Sequence, residues 1–122
     1  MKNYNPTDTK TCTGRTSDQQ QYLYERIQLI NLKEGYPTSF IDQTFAILGY
    51  ACDEGVKRNQ GRVGAATGAD IIKRQLAKMP NHLDHETTIL DIGSITCVDS
   101  NMEGAQTILA EMVTQLLESN TF

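Results

Sequence analysis

Residues 44–51 read Thr44-Phe45-Ala46-Ile47-Leu48-Gly49-Tyr50-Ala51. A short, nearly continuous apolar run of this kind suits a strand covered on both faces, as in a parallel sheet. Residues 53–68 follow as a Gly-rich polar loop. A helical period then sets in over residues 69–79, with Ile72, Leu76 and Met79 on one stripe and Pro80 at the end. Thr67 and Asp70 have capping-box spacing before it. Residues 81–86 form a polar turn. Residues 88–97 are a second buried-strand candidate carrying Ile89, Leu90, Ile92 and Ile95. After the turn Asp99-Ser100-Asn101, with Ser100 and Glu103 again at capping-box spacing, a helix spans 102–117. Its broad apolar face is Ile108, Leu109, Met112, Val113 and Leu116. Two buried strands joined through a helix make a βαβ unit, right-handed by the general rule.

Working outward, Leu23, Ile27 and Ile30 recur at helical spacing within 18–31. Ser17 or Asp18 stands at the N-cap, and Gly35 and Pro37 end the element. Residues 1–17 are polar with few apolar anchors and read as a tail or ordered arm, not as a core element. The predicted order is helix, strand, helix, strand, helix. No repeat and no second domain is visible, so the division is an arm (1–17) and a partial α/β domain (18–122). Two parallel strands do not finish a sheet. The pattern reads as the opening of a larger α/β domain, with a further strand expected at about Phe122.

The chain has 122 residues, 39% hydrophobic and 21% charged, which is ordinary for a globular domain. A net charge of -4 and a pI near 5.0 argue against a general nucleic-acid binder. No apolar run reaches the roughly 20 residues that cross a bilayer, and the polar start does not resemble a secretory signal. The expected location is cytoplasmic. Cys12, Cys52 and Cys97 are odd in number and widely spaced, and they read as buried reduced thiols.

The loop at 53–68 follows a strand's carboxyl end, where open α/β folds bind ligands. Its glycines, Gly55, Gly61, Gly64 and Gly68, match neither the dinucleotide fingerprint nor a phosphate loop, and they serve backbone turns. Lys57, Arg58, Asn59, Gln60 and Arg62 permit two readings. One is a clamp for a carboxylate-bearing substrate; the other is a solvated loop. Adjacent Asp53 and Glu54 read as capping groups of the loop. The segment His82-Leu83-Asp84-His85-Glu86 has metal-compatible residue types but sits in a turn at a strand's amino end, opposite the usual ligand face. Cys52 is not set in a nucleophile elbow.

The run Phe45-Ala46-Ile47-Leu48-Gly49-Tyr50-Ala51-Cys52-Asp53-Glu54-Gly55-Val56-Lys57-Arg58-Asn59-Gln60-Gly61-Arg62-Val63-Gly64-Ala65-Ala66 closely resembles the first strand and loop of formimidoylglutamases, within the arginase/agmatinase family. Residues 68–76 resemble the family's next helix, and Leu90-Asp91-Ile92-Gly93 its next strand, although Ser94 stands where an acidic residue is usual. Residues 102–117 resemble the helix after that, and Gly14-Arg15 with Asp18 resembles the subgroup's N-terminal arm. The resemblance implies the N-terminal βα segment of a three-layer α/β/α fold. It also implies a hydrolase of linear amidines that converts N-formimidoyl-L-glutamate and water to L-glutamate and formamide, in histidine degradation. Two Mn²⁺ ions serve the family's full-length enzymes. Their ligand segments, Gly-Gly-Gly-His, Asp-Ala-His-x-Asp and Asp-x-Asp, are absent from this sequence, and the first is expected just beyond Phe122. No catalytic residue and no metal ligand is therefore carried over, no bound metal is expected, and the chain alone is expected to be inactive. Arg58, Asn59 and Arg62 are the substrate-binding candidates, placed at the lip of the cleft.

Two rivals stand beside this. One is a non-catalytic module that self-associates or docks through an uncovered sheet edge and apolar faces. The other is a nucleotide-binding α/β domain, for which neither phosphate-loop pattern is present. The partners expected are a small-molecule substrate, neither nucleic acid nor membrane, and a second copy of the chain in a homo-oligomer.

Overall fold

A computed structural model describes residues 2–36 and 43–122. The strands are β1 (Tyr4–Asn5), β2 (Ile27–Leu29), β3 (Thr44–Ala51) and β4 (Thr88–Thr96). The helices are α1 (Glu54–Arg58), α2 (Gly68–Ala77) and α3 (Met102–Glu118). The strands form one mixed four-stranded sheet. Strand β4 is central: it pairs parallel with β3 on one edge, and on the other with β2 (parallel) and β1 (antiparallel).

Alternation along β4 sorts the layers. Leu90, Ile92 and Ile95 join Ala105, Met112 and Leu116 of α3 in the core. Asp91, pointing to the opposite face, meets Lys73 of α2. The two helices therefore cover opposite faces, giving a three-layer α/β/α arrangement. The alternation shifts at Gly93, where two β4 residues, Ile92 and Gly93, stand against one of β3, Leu48, between the Ile47↔Asp91 and Gly49↔Ser94 pairs. This bulge returns Ser94 to the α2 face and Ile95 to the α3 face. Only glycine fits there: its φ is +86°, and a Cβ would lie 2.5 Å from the Asn5 carbonyl oxygen and 2.7 Å from the Tyr4 ring.

The α2 face is held by a buried ion pair. Lys73 Nζ donates to Asp91 Oδ1 (2.7 Å), the Gly93 carbonyl (2.7 Å) and Thr7 Oγ1 (3.0 Å). Asp91 Oδ1 also accepts from Thr7 Oγ1 (2.7 Å) and the Gly93 amide (3.0 Å). Both charged side chains are only 3% exposed. Burial at that depth is tolerable only because partners replace the lost hydration.

Strands β3 and β4 and helix α3 lie where the sequence pattern puts them, and α2 is displaced by a residue or two. Four expectations fail. The helix over 18–31 is instead a 3-10 turn (Leu23–Glu25) and strand β2. The spacing of Leu23 and Ile27, both buried, fits a turn followed by a strand, and the open edge of β4 supplies the hydrogen bonds that decide it. Residues 1–17 contribute to the core: Tyr4 is 1% exposed, and its hydroxyl accepts from the Leu32 amide (3.0 Å) and donates to the Ile30 carbonyl (3.3 Å). The α2 stripe is rotated. Lys73 and Ala77 face inward while Ile72 and Met79 are exposed, because Lys73 must reach Asp91. Neither capping box forms: Thr67 makes no side-chain cap, and Asn101, not Ser100, caps α3 through the Gly104 amide. The ending read for Pro37 lies outside the described residues.

Past α3, Thr121 bridges Thr44 in parallel. The Phe122 amide donates to the Thr44 carbonyl (2.8 Å), and the Ala46 amide to the Phe122 carbonyl (2.5 Å). This is the pairing pattern of a further strand on the outer edge of β3, as expected from the alternating pattern.

Replacing Lys73 by Met should destabilise the chain by roughly 3–5 kcal/mol, because Asp91 is then buried without its cation. The double variant Lys73→Met/Asp91→Leu should recover most of that loss. Urea unfolding of both variants checks this, and equal losses in the two would contradict it.

Candidate functional site

The loop following β3 and the turn following β4 stand together at the carboxyl edge of the sheet, because the two strands run parallel and in register to Ala51↔Thr96. The sequence reads 53–68 as irregular, but the structure winds Glu54–Arg58 into α1 and Ala65–Thr67 into a 3-10 turn. The end of α1 is closed by a left-handed residue. Gln60 has φ +58°, the Gly61 amide donates back to the Val56 carbonyl (2.8 Å), and the Asn59 amide to the Gly55 carbonyl (3.1 Å). Gly61 is required by close approach, since a Cβ would meet Val56 Cγ1 at 2.8 Å. Asp53 Oδ2 accepts from the Gly64 amide at 3.0 Å and ties the loop's two halves together.

Arg58 links this loop to α3. Its two terminal nitrogens grip both carboxylate oxygens of Glu103, one of them also donates to the Ser100 carbonyl (2.9 Å), and Nε lies 3.4 Å from Glu54 Oε1. The bidentate Arg58 contact holds the Glu103 carboxyl down at about 2, from an ordinary 4.5. Glu103 raises the Arg58 guanidinium in turn. Asn59 Nδ2 donates to the Gly55 carbonyl (3.0 Å) and serves the helix end. Arg62 is exposed and makes no side-chain hydrogen bond or ion pair among the described residues. The three substrate candidates thus share one loop but differ in engagement: Arg58 and Asn59 have partners, and Arg62 has none.

His82 and His85 lie in the turn before β4, at the opposite end of the sheet from Asp53 and Glu54. Asp84 between them caps that turn, accepting from Thr87 Oγ1 (2.7 Å) and from the Thr87 and Glu86 amides (2.9 and 3.1 Å). Thr87 holds the Asp84 carboxyl below its ordinary value. Among the described residues, no three His, Cys, Asp or Glu side chains cluster to hold a metal ion. Asp53 and Asp91, both spoken for by hydrogen bonds, do not supply such a set. The residues present therefore do not fit a binuclear manganese centre. Cys12, Cys52 and Cys97 are free thiols that are partly buried, not fully buried as the sequence suggests.

Along 120 residues the chain is 38% identical to the formimidoylglutamase of Geobacillus kaustophilus, covering 95% of this chain and 37% of that protein. It is 32% identical to the Clostridium tetani formimidoylglutamase over 125 residues, covering 98% of this chain and 37% of that one. The Salmonella typhi formimidoylglutamase is 39% identical over 92 residues, which is 75% of this chain and 29% of that protein. The chain is a relative of the formimidoylglutamases. It spans about 37% of the length of the first of these curated relatives, matching their N-terminal portion. No family model matches the chain. The α/β/α arrangement is accordingly a partial arginase-like fold. Among the described residues no helix is long and apolar enough to cross a membrane.

Sequence reasoning found this loop but missed Glu103, the group that anchors it. The signal was present: an acidic residue in the first turn of a helix beside a basic loop. The Glu103 carboxylate stabilises the chain fully above its ordinary pKa of 4.5, and that contribution is lost as the pH falls through about 2. The variant Glu103→Gln should therefore show a shallower fall in urea midpoint between pH 4.5 and about 2 than the natural chain. Parallel pH profiles in the two proteins would contradict the assignment.

Proposed function

We propose that this chain forms the lip-bearing part of a formimidoylglutamase-type hydrolase, in which N-formimidoyl-L-glutamate and water yield L-glutamate and formamide in histidine degradation. The supporting observation is likeness to formimidoylglutamases along 95% of the chain, coupled with a basic loop at the carboxyl edge of the sheet, where α/β folds take their ligands. The two Mn²⁺ ions of such an enzyme would be held by segments this sequence does not contain. On this reading the chain alone does not hydrolyse substrate. The three free cysteines accord with a reducing, cytoplasmic setting.

Within the loop, Arg62 is the side chain open to a substrate carboxylate, with Asn59 beside it. Arg58 positions the loop through Glu103 and can reach substrate only by exchanging that partner. A second reading, a module that self-associates or docks through its sheet edge, is favoured by one observation. Among the described residues, Thr121 and Phe122 pair only the first residues of β3's outer edge, and exposed Phe45 and Ile72 flank it. Light scattering separates this from the first reading, since a compact monomer counts against docking between copies.

In a full-length relative, replacing the residue that matches Arg62 by Ala should raise KM roughly ten- to a hundredfold, as expected for loss of a charge-assisted hydrogen bond. Steady-state formamide release measures it. An unchanged KM for that variant and for the variant matching Arg58 would remove the loop from substrate binding.

A further inference from the structure

We infer that Cys52 and Cys97 form a redox-responsive dithiol that closes to a disulfide across the carboxyl ends of β3 and β4. Strands β3 and β4 are parallel and end on the pair Ala51↔Thr96, and the residue that follows each strand is a cysteine, so the same register carried on by one residue sets Cys52 beside Cys97. In-register neighbours on adjacent strands lie about 5 Å apart at Cα and share a face, within the span a disulfide bridges. That shared face is the α3 side: Tyr50 pairs with Ile95 two residues earlier, and Tyr50 and Cys97 both pack against the α3-side core. Both residues are partly buried and not fully enclosed, which leaves small oxidants a path to them. The Tyr50 hydroxyl on the same face is buried, and after burial Cys52 is the largest influence on it. The remaining thiol, Cys12, is influenced by Asp91 and Lys73 and so lies on the α2 side, with the sheet between it and the pair.

Burial pushes the Cys97 thiol up, with Cys52 the next influence on it. A raised thiol is a poor first nucleophile, which gives Cys97 the resolving role. With a peroxide as oxidant, the Cys52 thiolate attacks one peroxide oxygen. The O–O bond breaks, and hydroxide leaves to become water. The resulting sulfenic acid is attacked at sulfur by Cys97; the S–S bond forms, and a second hydroxide leaves to become water. Two sulfurs together lose two electrons, and the peroxide gains them. The bond would staple the root of the basic loop to the turn that carries Ser100, whose carbonyl holds Arg58. The inference rests on strand register and stands whether or not the hydrolase reading holds.

The test treats the 122-residue chain with a slight excess of hydrogen peroxide, alkylates it and maps the peptides by mass spectrometry. The expected result is an intramolecular Cys52–Cys97 link with Cys12 alkylated, reversed by dithiothreitol and unchanged in Cys12→Ser. The oxidised chain should melt roughly 10 °C higher. In Cys97→Ser a sulfenic acid should be trapped on Cys52 by dimedone. Three free thiols in a chain that keeps its circular dichroism, a link through Cys12, or the same link formed as fast in urea would each overturn the proposal.

Discussion

The buried contact between Lys73 and Asp91 is the constraint on which the rest of the molecule depends. A carboxylate at the middle of the central strand has no water to solvate it, so a cation must be brought to it. Helix α2 meets that demand by turning Lys73 inward, which in turn leaves Ile72 in solvent. The same knot recruits Thr7, and so draws the N-terminal segment across the face of the sheet. It also reads out the Gly93 bulge, because Lys73 donates to the Gly93 carbonyl and Asp91 accepts from the Gly93 amide. One ion pair thereby sets the orientation of a helix, the path of the first residues and the phase of β4 beyond the bulge.

With that phase set, the opposite face of the sheet packs conventionally on α3, and the carboxyl edge of the sheet carries the chemistry-bearing side chains. The α1 turn, closed by Gln60 and Gly61, carries Arg58 to Glu103, so the loop is anchored to the helix that covers the α3 face. This ion pair is largely solvated, and its contribution to stability is modest. Its consequence is positional: it fixes the base of the loop and leaves Arg62 facing outward. The loop is thus braced at its root, and Arg62 beyond the brace has no side-chain partner among the described residues.

The strands β3 and β4 were legible in the sequence because each is a short apolar run buried on both faces, and α3 because its apolar face is broad. The further strand at the carboxyl terminus was legible from alternation alone, and Thr121 and Phe122 begin it. The segment around Leu23 and Ile27 was not, since three apolar residues at helical spacing also suit a turn followed by a strand, and only the free edge of β4 decides between them. Tyr4 was hidden in polar sequence, and a strand of two residues has no period to detect. Asp91 was the clearest missed signal: a carboxylate within an apolar run announces a buried partner, although nothing local identifies Lys73. In the candidate site, the basic segment was placed at a strand's carboxyl end, but the α1 and 3-10 turns within it were not read. Its division into an anchored Arg58 and an open Arg62 depends on Glu103, which is 45 residues away from Arg58.

On the proposed function, this chain bears the loop of a hydrolase whose metal-holding residues are segments absent from this sequence. The most direct measurement is manganese per chain by elemental analysis, after dialysis against Mn²⁺ and then metal-free buffer, with formamide release from N-formimidoyl-L-glutamate assayed on the same sample. No retained manganese and no formamide is the predicted result. Two manganese ions per chain with turnover would contradict it and return Asp53, Glu54, His82 and His85 to consideration as ligands.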